Sequence, residues 1–172
     1  MSHPVLTVRP AALRTEADAV GDLLVEYMTW ATGQLRATFG VDSPTDPSAM
    51  RAGLAEYATP ASVLLVAVAE SGELAGTGAV RTLEPGVAEI KRMYVRPAWR
   101  GQGVGSRLLD GLLDQAARLD ASTIRLDTAR FMADAQGMYQ SRGFVRRDPY
   151  PGTEIPPHLQ QYWYFFERTV TG

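Results

Sequence analysis

The residues best suited to chemistry in this 172-residue chain form a glycine-rich loop, Arg100-Gly-Gln-Gly-Val-Gly-Ser106. Glycines at alternate positions let the backbone approach a ligand closely and leave several N–H groups without a partner. A helical pattern begins at Val104, and the first turn of a helix adds more unpaired N–H groups and the positive end of the helix dipole. The loop therefore predicts a site for a phosphate or diphosphate.

Other interpretations of this loop fit the residues less well. A dinucleotide loop of the Rossmann type needs Gly-x-Gly-x-x-Gly after the first strand of a βαβ unit, whereas this loop has Gly-x-Gly-x-Gly after several predicted strands. A P-loop needs Gly-Lys-Ser/Thr, which is missing here. A tight turn without a ligand needs only one glycine, and the clustered glycines and Arg100 argue against it.

Composition excludes several other kinds of site. The chain has no cysteine, which removes disulfides, cysteine-ligated zinc and a cysteine nucleophile. His3 and His158 are the only histidines, so neither a multi-histidine metal site nor a Ser-His-Asp triad is expected. The formal net charge of -2 gives no reason to expect nucleic acid as a partner. We therefore expect no metal and no nucleic acid.

The length and the apolar content predict one globular domain over residues 1–172. The opening Met-Ser-His-Pro does not resemble a signal peptide, and no apolar run approaches the ~20 residues that span a bilayer. We therefore expect a cytoplasmic protein that does not bind a membrane.

The elements that must position the loop follow from hydrophobic spacing and turn signals. We predict strands at Val5–Arg9, Ser62–Ala69, Glu73–Arg81, Val87–Arg96, Thr123–Thr128 and Gln161–Val170, with a further strand starting at Phe144. We predict helices that open at a Thr15–Asp18 capping box, at Pro47 behind Asp46, over Val104–Leu119, and over Met132–Ser141 with Gly143 after it.

The strand before the loop does not alternate as a regular strand would. Ile90 and Met93 are three residues apart and would point to opposite faces of the sheet. A β-bulge between them would return both side chains to one face, and bulges are frequent next to active sites. An edge strand with a polar outer face is the alternative interpretation.

Three segments of the chain together resemble the GNAT superfamily of acyl-CoA N-acyltransferases. The loop is similar to the family's Arg/Gln-x-x-Gly-x-Gly/Ala signature, Glu89–Pro97 to its fourth strand, and Ala135–Phe144 to its Ala-x-x-x-Tyr-x-x-x-Gly-Phe segment. The resemblance implies an α/β (α+β) fold with a mixed, mostly antiparallel sheet of six or seven strands, flanked by helices and splayed at the central strands. One departure is Met132, where many members have an asparagine.

The resemblance also implies that acetyl-CoA is the acyl donor, with its diphosphate on the loop and its pantetheine arm along the bulged strand. The implied cofactor-binding residues are Met93, Tyr94, Val95, Arg100, Gly101, Gln102, Gly103, Val104, Gly105 and Ser106.

Transfer of an acyl group to an amine needs a base near the amine, which is mostly an unreactive ammonium at neutral pH, and an acid near the leaving thiolate. The resemblance implies Glu89 as the base, although the family also carries structural glutamates at that position. It implies Tyr139 as the acid. Asp127 is another candidate, either for the base or for binding the substrate ammonium, unless it caps the next turn.

The side that receives the acyl group is less defined by the sequence. Tyr27 and Trp30 belong to a set of aromatic residues that suits small organic amines or amino acids. Arg92 either binds an anionic group of the substrate or pairs with a nearby carboxylate. The proline-rich segment Tyr150–His158 is expected to form a lip over the acceptor site.

We therefore expect an N-acetyltransferase that moves the acetyl group of acetyl-CoA to a primary amine of a small molecule or amino acid. Direct attack is favoured because the chain lacks a cysteine nucleophile and a triad. A non-catalytic acyl-CoA-binding module and an acetyltransferase acting on lysine side chains or N-termini of proteins are the alternatives. The expected partners are acetyl-CoA and the amine, and a homodimer is plausible from a family tendency.

Overall fold

The computed structural model describes residues 5–170, so that His3 lies outside the described residues. The strands are β1 (Leu6–Pro10), β2 (Ser62–Ala69), β3 (Leu74–Glu84), β4 (Val87–Val95), β5 (Thr123–Ala129), β6 (Val145–Arg147) and β7 (Trp163–Thr169). The helices are α1 (Leu13–Phe39), α2 (Pro47–Ala52), α3 (Val104–Arg118) and α4 (Ala133–Ser141), with 3₁₀ turns at Gly53–Ala58, Pro97–Trp99 and Pro157–Tyr162.

The strands form one open sheet in the order β1-β2-β3-β4-β5-β7-β6. Among the described strands only β4 and β5 run parallel, and the other neighbours are antiparallel. This confirms the predicted mixed, mostly antiparallel sheet with helices around it. None of the helices in residues 5–170 is both long and apolar enough to cross a membrane.

Two hydrophobic cores lie on opposite faces of the sheet. On one face, Leu108, Leu109 and Leu112 of α3 are fully buried against β-strand residues. Complete burial of a leucine side chain contributes ~1.5–3 kcal/mol, so this row holds α3 firmly in place. On the other face, α1 packs through Val20, Leu23 and Leu24. The rigid sheet therefore fixes where the loop before α3 begins.

Helix α1 starts earlier than the sequence predicts. Its N-cap is Ala12, and the Thr15 side chain does not cap the helix. Instead, a Glu16 carboxylate oxygen accepts a hydrogen bond from the Ala12 N–H at 2.8 Å and also pairs with Arg9. The Thr15–Asp18 capping box was therefore wrong, because the glutamate provides the cap from inside the first turns. By contrast, Asp46 caps α2 as predicted, accepting from the Ser48 N–H at 2.9 Å.

The predicted bulge is confirmed in β4. Thr77 of β3 lies opposite Tyr94, but Ala79 lies opposite Lys91, so β4 contains one extra residue. Arg92 takes up the change with a left-handed backbone at φ 59. As a result, Ile90 and Met93 both pack into the α3 core.

The two central strands also separate as predicted. Strand β5 pairs with β4 only from Val87 to Ile90, opposite Thr123 to Leu126. Beyond Ile90 the edge of β4 that faces β5 is no longer paired with it. Both strands continue past this point, and a gap opens between them. This gap between the strands is where the candidate site is built.

Candidate active site

The glycine loop presents free backbone N–H groups at the start of α3. Gly101 and Gly103 have φ angles of 73 and 80, a left-handed conformation that side chains with a Cβ disfavour. Gly103 is the N-cap of α3, and no side chain caps this helix. Within the described residues no turn or cap hydrogen bond is donated by the N–H groups of 101–106. The loop can therefore receive an anion with several N–H donors at once.

These N–H groups border a cavity of about 410 Å³, called the donor cavity below. Its lining residues come from β4, the loop, α3, α4 and α1: Trp30, Met93, Tyr94, Val95, Trp99, Arg100, Gly101, Gly103, Val104, Gly105, Ser106, Phe131, Met132, Ala133, Asp134, Ala135, Met138 and Tyr139. Nine of the ten predicted cofactor-binding residues are in this set. The exception is Gln102, whose side-chain amide instead donates to the Ala98 carbonyl at 3.0 Å.

Arg100 joins the loop to both neighbouring elements. Its Nε donates to the Val95 carbonyl at 2.9 Å, and its guanidinium lies 4.6 Å from the centre of the Trp30 ring. Trp30 in turn meets Phe131 edge to face, with ring centres 5.8 Å apart. Trp30, which the sequence suggested for the acceptor side, thus lies along the donor cavity.

Tyr139 enters the donor cavity from α4. Only 3% of the residue is exposed, its ring packs edge to face against Phe144, and no hydrogen bond of its hydroxyl is found among the described residues. Burial raises the pKa of Tyr139 well above its ordinary value, and Tyr27 and the Asp127 carboxylate act in the same direction. The phenol is therefore a permanent hydrogen-bond donor at neutral pH.

A second cavity of about 90 Å³, called the acceptor cavity below, lies between α1, the bulge of β4 and the end of β5. It is lined by Tyr27, Met28, Ala31, Thr32, Leu35, Ser43, Arg92, Asp127, Thr128, Ala129, Phe131, Met132, Glu154, Ile155 and Trp163. Phe131 and Met132 line both cavities, so the two meet at this pair. Three of the predicted substrate residues, Tyr27, Arg92 and Asp127, come together here.

Asp127 is a buried carboxyl group whose pKa lies near neutrality. Burial raises its pKa to about 7, and the nearby Glu154 and Glu89 carboxylates add to that effect. Its Oδ2 accepts a hydrogen bond from the Thr153 hydroxyl at 3.3 Å and lies 3.3 Å from the Tyr150 hydroxyl, whose single proton is directed to Glu89. A carboxylate with this pKa in a cavity suits general base catalysis at neutral pH.

Glu89 is almost completely buried, with 1% of its surface exposed. One carboxylate oxygen accepts from Arg81 Nε at 2.9 Å, and the other accepts from the Tyr150 hydroxyl at 2.9 Å. Glu89 lines neither of the two cavities. The Tyr150 hydroxyl is therefore the link that connects it to Asp127.

Arg92 pairs with a carboxylate of the chain itself. Its Nη1 donates to Glu154 Oε1 at 2.7 Å and its Nη2 donates to Oε2 at 3.3 Å, while Lys91 Nζ lies 3.1 Å from the same Oε2. Although burial opposes ionisation, Arg92 and Lys91 lower the pKa of Glu154 to about 2. The contact ties the segment after Tyr150 to the bulge of β4.

The sequence did not single out Glu154, Phe131 or the hydroxyl link through Tyr150. Glu154 stands 62 positions from Arg92, and Tyr150 stands 61 positions from Glu89. No local spacing carries such contacts. The proline-rich character of Tyr150–His158 was the only available signal that this segment covers the acceptor side.

The two cavities, the free N–H groups and the strand gap can be compared with known proteins. Residues 24–144 match the model of the acetyltransferase (GNAT) family. The chain belongs to this family. An uncharacterized N-acetyltransferase of Schizosaccharomyces pombe is 36% identical to this GNAT protein over 102 residues, which make up 59% of this chain and 63% of that relative. The match thus spans less than two thirds of the relative's length.

Solved structures share the fold across almost the whole GNAT chain. A GNAT-family acetyltransferase from Staphylococcus aureus has a TM-score of 0.76 at 16% identity, covering 97% of this chain and 100% of its own. The yncA protein of Salmonella typhimurium, whose structure was determined with its cofactor acetyl-CoA, has a TM-score of 0.70 at 20% identity. That match covers 98% of this chain and 95% of yncA.

Proposed function

We propose that this GNAT protein transfers the acetyl group of acetyl-CoA to a primary amine of a small molecule or amino acid by direct attack. The observation that carries the proposal is the meeting of the two cavities. One offers free N–H groups, unpaired strand edge and the Tyr139 hydroxyl, and the other holds Asp127. An acyl donor in the first and an amine in the second would meet at Phe131 and Met132.

The donor cavity fits a molecule that carries a diphosphate at one end and an extended arm at the other. The N–H groups of residues 101–106 and the dipole of α3 suit the diphosphate, and Arg100 adds a positive charge beside them. The β4 edge beyond Ile90, no longer paired with β5, can hydrogen-bond an extended amide chain. When bound, acetyl-CoA supplies an activated acyl group as a thioester. The protein's task is to position it and to manage protons.

On the acceptor side, we propose that Asp127 takes the proton from the incoming ammonium. The pKa of Asp127, about 7, leaves much of the carboxylate ionised at neutral pH and yet basic enough to accept a proton. Glu89 acts indirectly, through Tyr150, whose hydroxyl donates to Glu89 and lies close to Asp127. The contact with Arg81 holds the Glu89 side chain in this position.

On the donor side, we propose that Tyr139 acts at the leaving sulfur. A free thiol has a pKa of ~8.5, so a phenol with a raised pKa does not give up its proton to a thiolate completely. Tyr139 instead donates a hydrogen bond while negative charge grows on the sulfur as the carbon–sulfur bond breaks. The nitrogen loses two protons in all. The ammonium gives the first to Asp127 before the attack, and the second, lost after the attack, ends on the sulfur of the released thiol.

A Tyr139→Phe variant tests this proposal. We expect kcat for thiol release from acetyl-CoA to fall roughly 100-fold, the lower range for loss of an acid–base group, with CoA affinity unchanged. Tyr164→Phe is the matched control, because Tyr164 lies on β7 outside both cavities. An unchanged kcat would remove Tyr139 from the mechanism. CoA binding without thiol release, over a wide amine panel, would favour a non-catalytic binding module.

A further inference from the structure

Among residues 5–170, the positive charge at the acceptor cavity has an ion-pair partner within the chain, whereas one of the cavity's carboxylates does not. Arg92 has its guanidinium occupied by both oxygens of Glu154, and Lys91 contacts the same carboxylate. The contact uses both carboxylate oxygens and orients the guanidinium, while 40% of the Glu154 side chain stays exposed to solvent. Arg92, which lines the cavity, is therefore already paired with a carboxylate of the chain itself.

Asp127 is in the opposite situation. In the part of the chain that the structure describes, its carboxylate forms no ion pair, and its contacts are the hydroxyls of Tyr150 and Thr153. The guanidinium behind it belongs to Arg81 and is paired with Glu89 and Glu56. A carboxylate in an apolar surrounding without a counter-ion is unfavourable, and a bound cation would relieve this.

The walls of the cavity set a second condition. Apart from Arg92, Asp127 and Glu154, the lining is mostly apolar or aromatic, including Tyr27, Met28, Phe131, Ile155 and Trp163. A negatively charged substituent would find no free positive group there. It would have to displace Glu154 from Arg92 or lie close to Asp127, and like charges in contact are strongly disfavoured.

We propose that the acceptor is a small primary amine with an apolar body and no carboxylate or phosphate, held through its ammonium by Asp127. Glu154 acts as a specificity-determining residue, because it occupies the one arginine that a substrate carboxylate could use. Discrimination by a group built against the wrong ligand is common in selective sites. This inference rests on the proposed function and narrows it to amines that are not amino acids.

Matched pairs of compounds that differ only by a carboxylate test the inference. The pairs are isoamylamine with leucine, isobutylamine with valine, and phenethylamine with phenylalanine, and each pair is identical apart from the carboxylate. With acetyl-CoA as donor, we expect kcat/KM for the amine to exceed that for the amino acid by roughly 100-fold. Equal rates within a pair, or a preference for the amino acid, would overturn the inference.

The Glu154→Gln variant examines the role of the blocking carboxylate. It keeps the shape of the side chain and frees Arg92, so we expect the preference for the amine to fall about 10-fold or more. Glu84→Gln is the control, since it removes an exposed contact with Arg125 away from both cavities. An unchanged preference in a folded Glu154→Gln protein would refute the role of Glu154. The wild-type comparison needs no variant and stands if this one fails to fold.

Binding separates this inference from the proposed function. Calorimetric titration of each compound into the protein saturated with CoA measures acceptor affinity without turnover. Tighter binding of the amine supports the inference even where no thiol is released, a result that would refute only the transferase activity. Equal or tighter binding of the amino acid contradicts the inference whether or not the enzyme turns over.

Discussion

Replacing Asp127 by asparagine is expected to stabilise the protein above neutral pH while it suppresses acetyl transfer. The pKa of this carboxyl is about 7 in the folded chain against an ordinary value of 3.8. Between these two pH values the folded protein binds more protons than the unfolded chain does, so the free energy of unfolding falls as pH rises. The stability due to protonated Asp127 is fully present below pH 3.8 and lost above about 7.

The size of the effect follows from the same two values. A difference of one pKa unit between folded and unfolded chains corresponds to ~1.36 kcal/mol, so ionised Asp127 costs up to about 4 kcal/mol at pH 8. Because the side chain keeps some contact with solvent, we expect Asp127→Asn to raise the free energy of unfolding by about 2 to 4 kcal/mol there. At pH 4.5 the same linkage gives an increase of only about 1 kcal/mol.

Urea denaturation at pH 4.5 and pH 8 measures this difference directly. For a chain of this length each kcal/mol also moves Tm by about 2 to 4 °C. Asp114→Asn is the control, since Asp114 is an exposed residue of α3 and such changes stay within about 0.5 kcal/mol. An equal gain at both pH values, or a loss at pH 8, would refute the view that Asp127 is a strained carboxylate in need of a cation.

Two further substitutions test the loop and the α1 core. Gly103→Glu should lower CoA affinity at least ~100-fold, because it places a carboxylate among the N–H groups of the loop. Gly72→Glu is the control, since Gly72 lies in a hairpin and has the same left-handed backbone and open space around it. Both variants should lose ~1–2 kcal/mol of stability, but Gly72→Glu should keep its CoA affinity. Retained affinity would disprove the diphosphate site. Tyr57→Phe should raise the free energy of unfolding by ~1 kcal/mol in thermal denaturation, since its buried hydroxyl has no partner among the described residues. A loss of stability would mean that the hydroxyl is satisfied.

The sequence predicted well wherever one element contains the whole signal. The apolar spacing of α3 gave its bounds within one residue, and the broken alternation between Ile90 and Met93 gave the bulge. Both are properties of adjacent residues, which hydrophobic periodicity reports directly. The loop glycines belong to the same class, because left-handed backbone angles at Gly101 and Gly103 select that residue type.

The acceptor side could not be predicted in the same way. Its polar contacts join Arg92 to Glu154 and Tyr150 to Asp127, pairs that lie 62 and 23 positions apart. Such contacts depend on how an irregular segment crosses the sheet, and turn residues do not encode that path. The sequence also did not predict which cavity Trp30 borders. A helix face of mixed aromatic and polar residues does not contain that information.

The meeting of the two cavities at Phe131 and Met132 has a consequence for protein engineering. Within residues 5–170, these two border both cavities, and every other lining residue belongs to one cavity alone. A library confined to Glu154, Ile155 and Trp163 would therefore remodel the acceptor wall without changing any group that borders the donor cavity. Exchange of the segment around Glu154 would then change the acceptor that the protein binds, while the donor cavity stays the same.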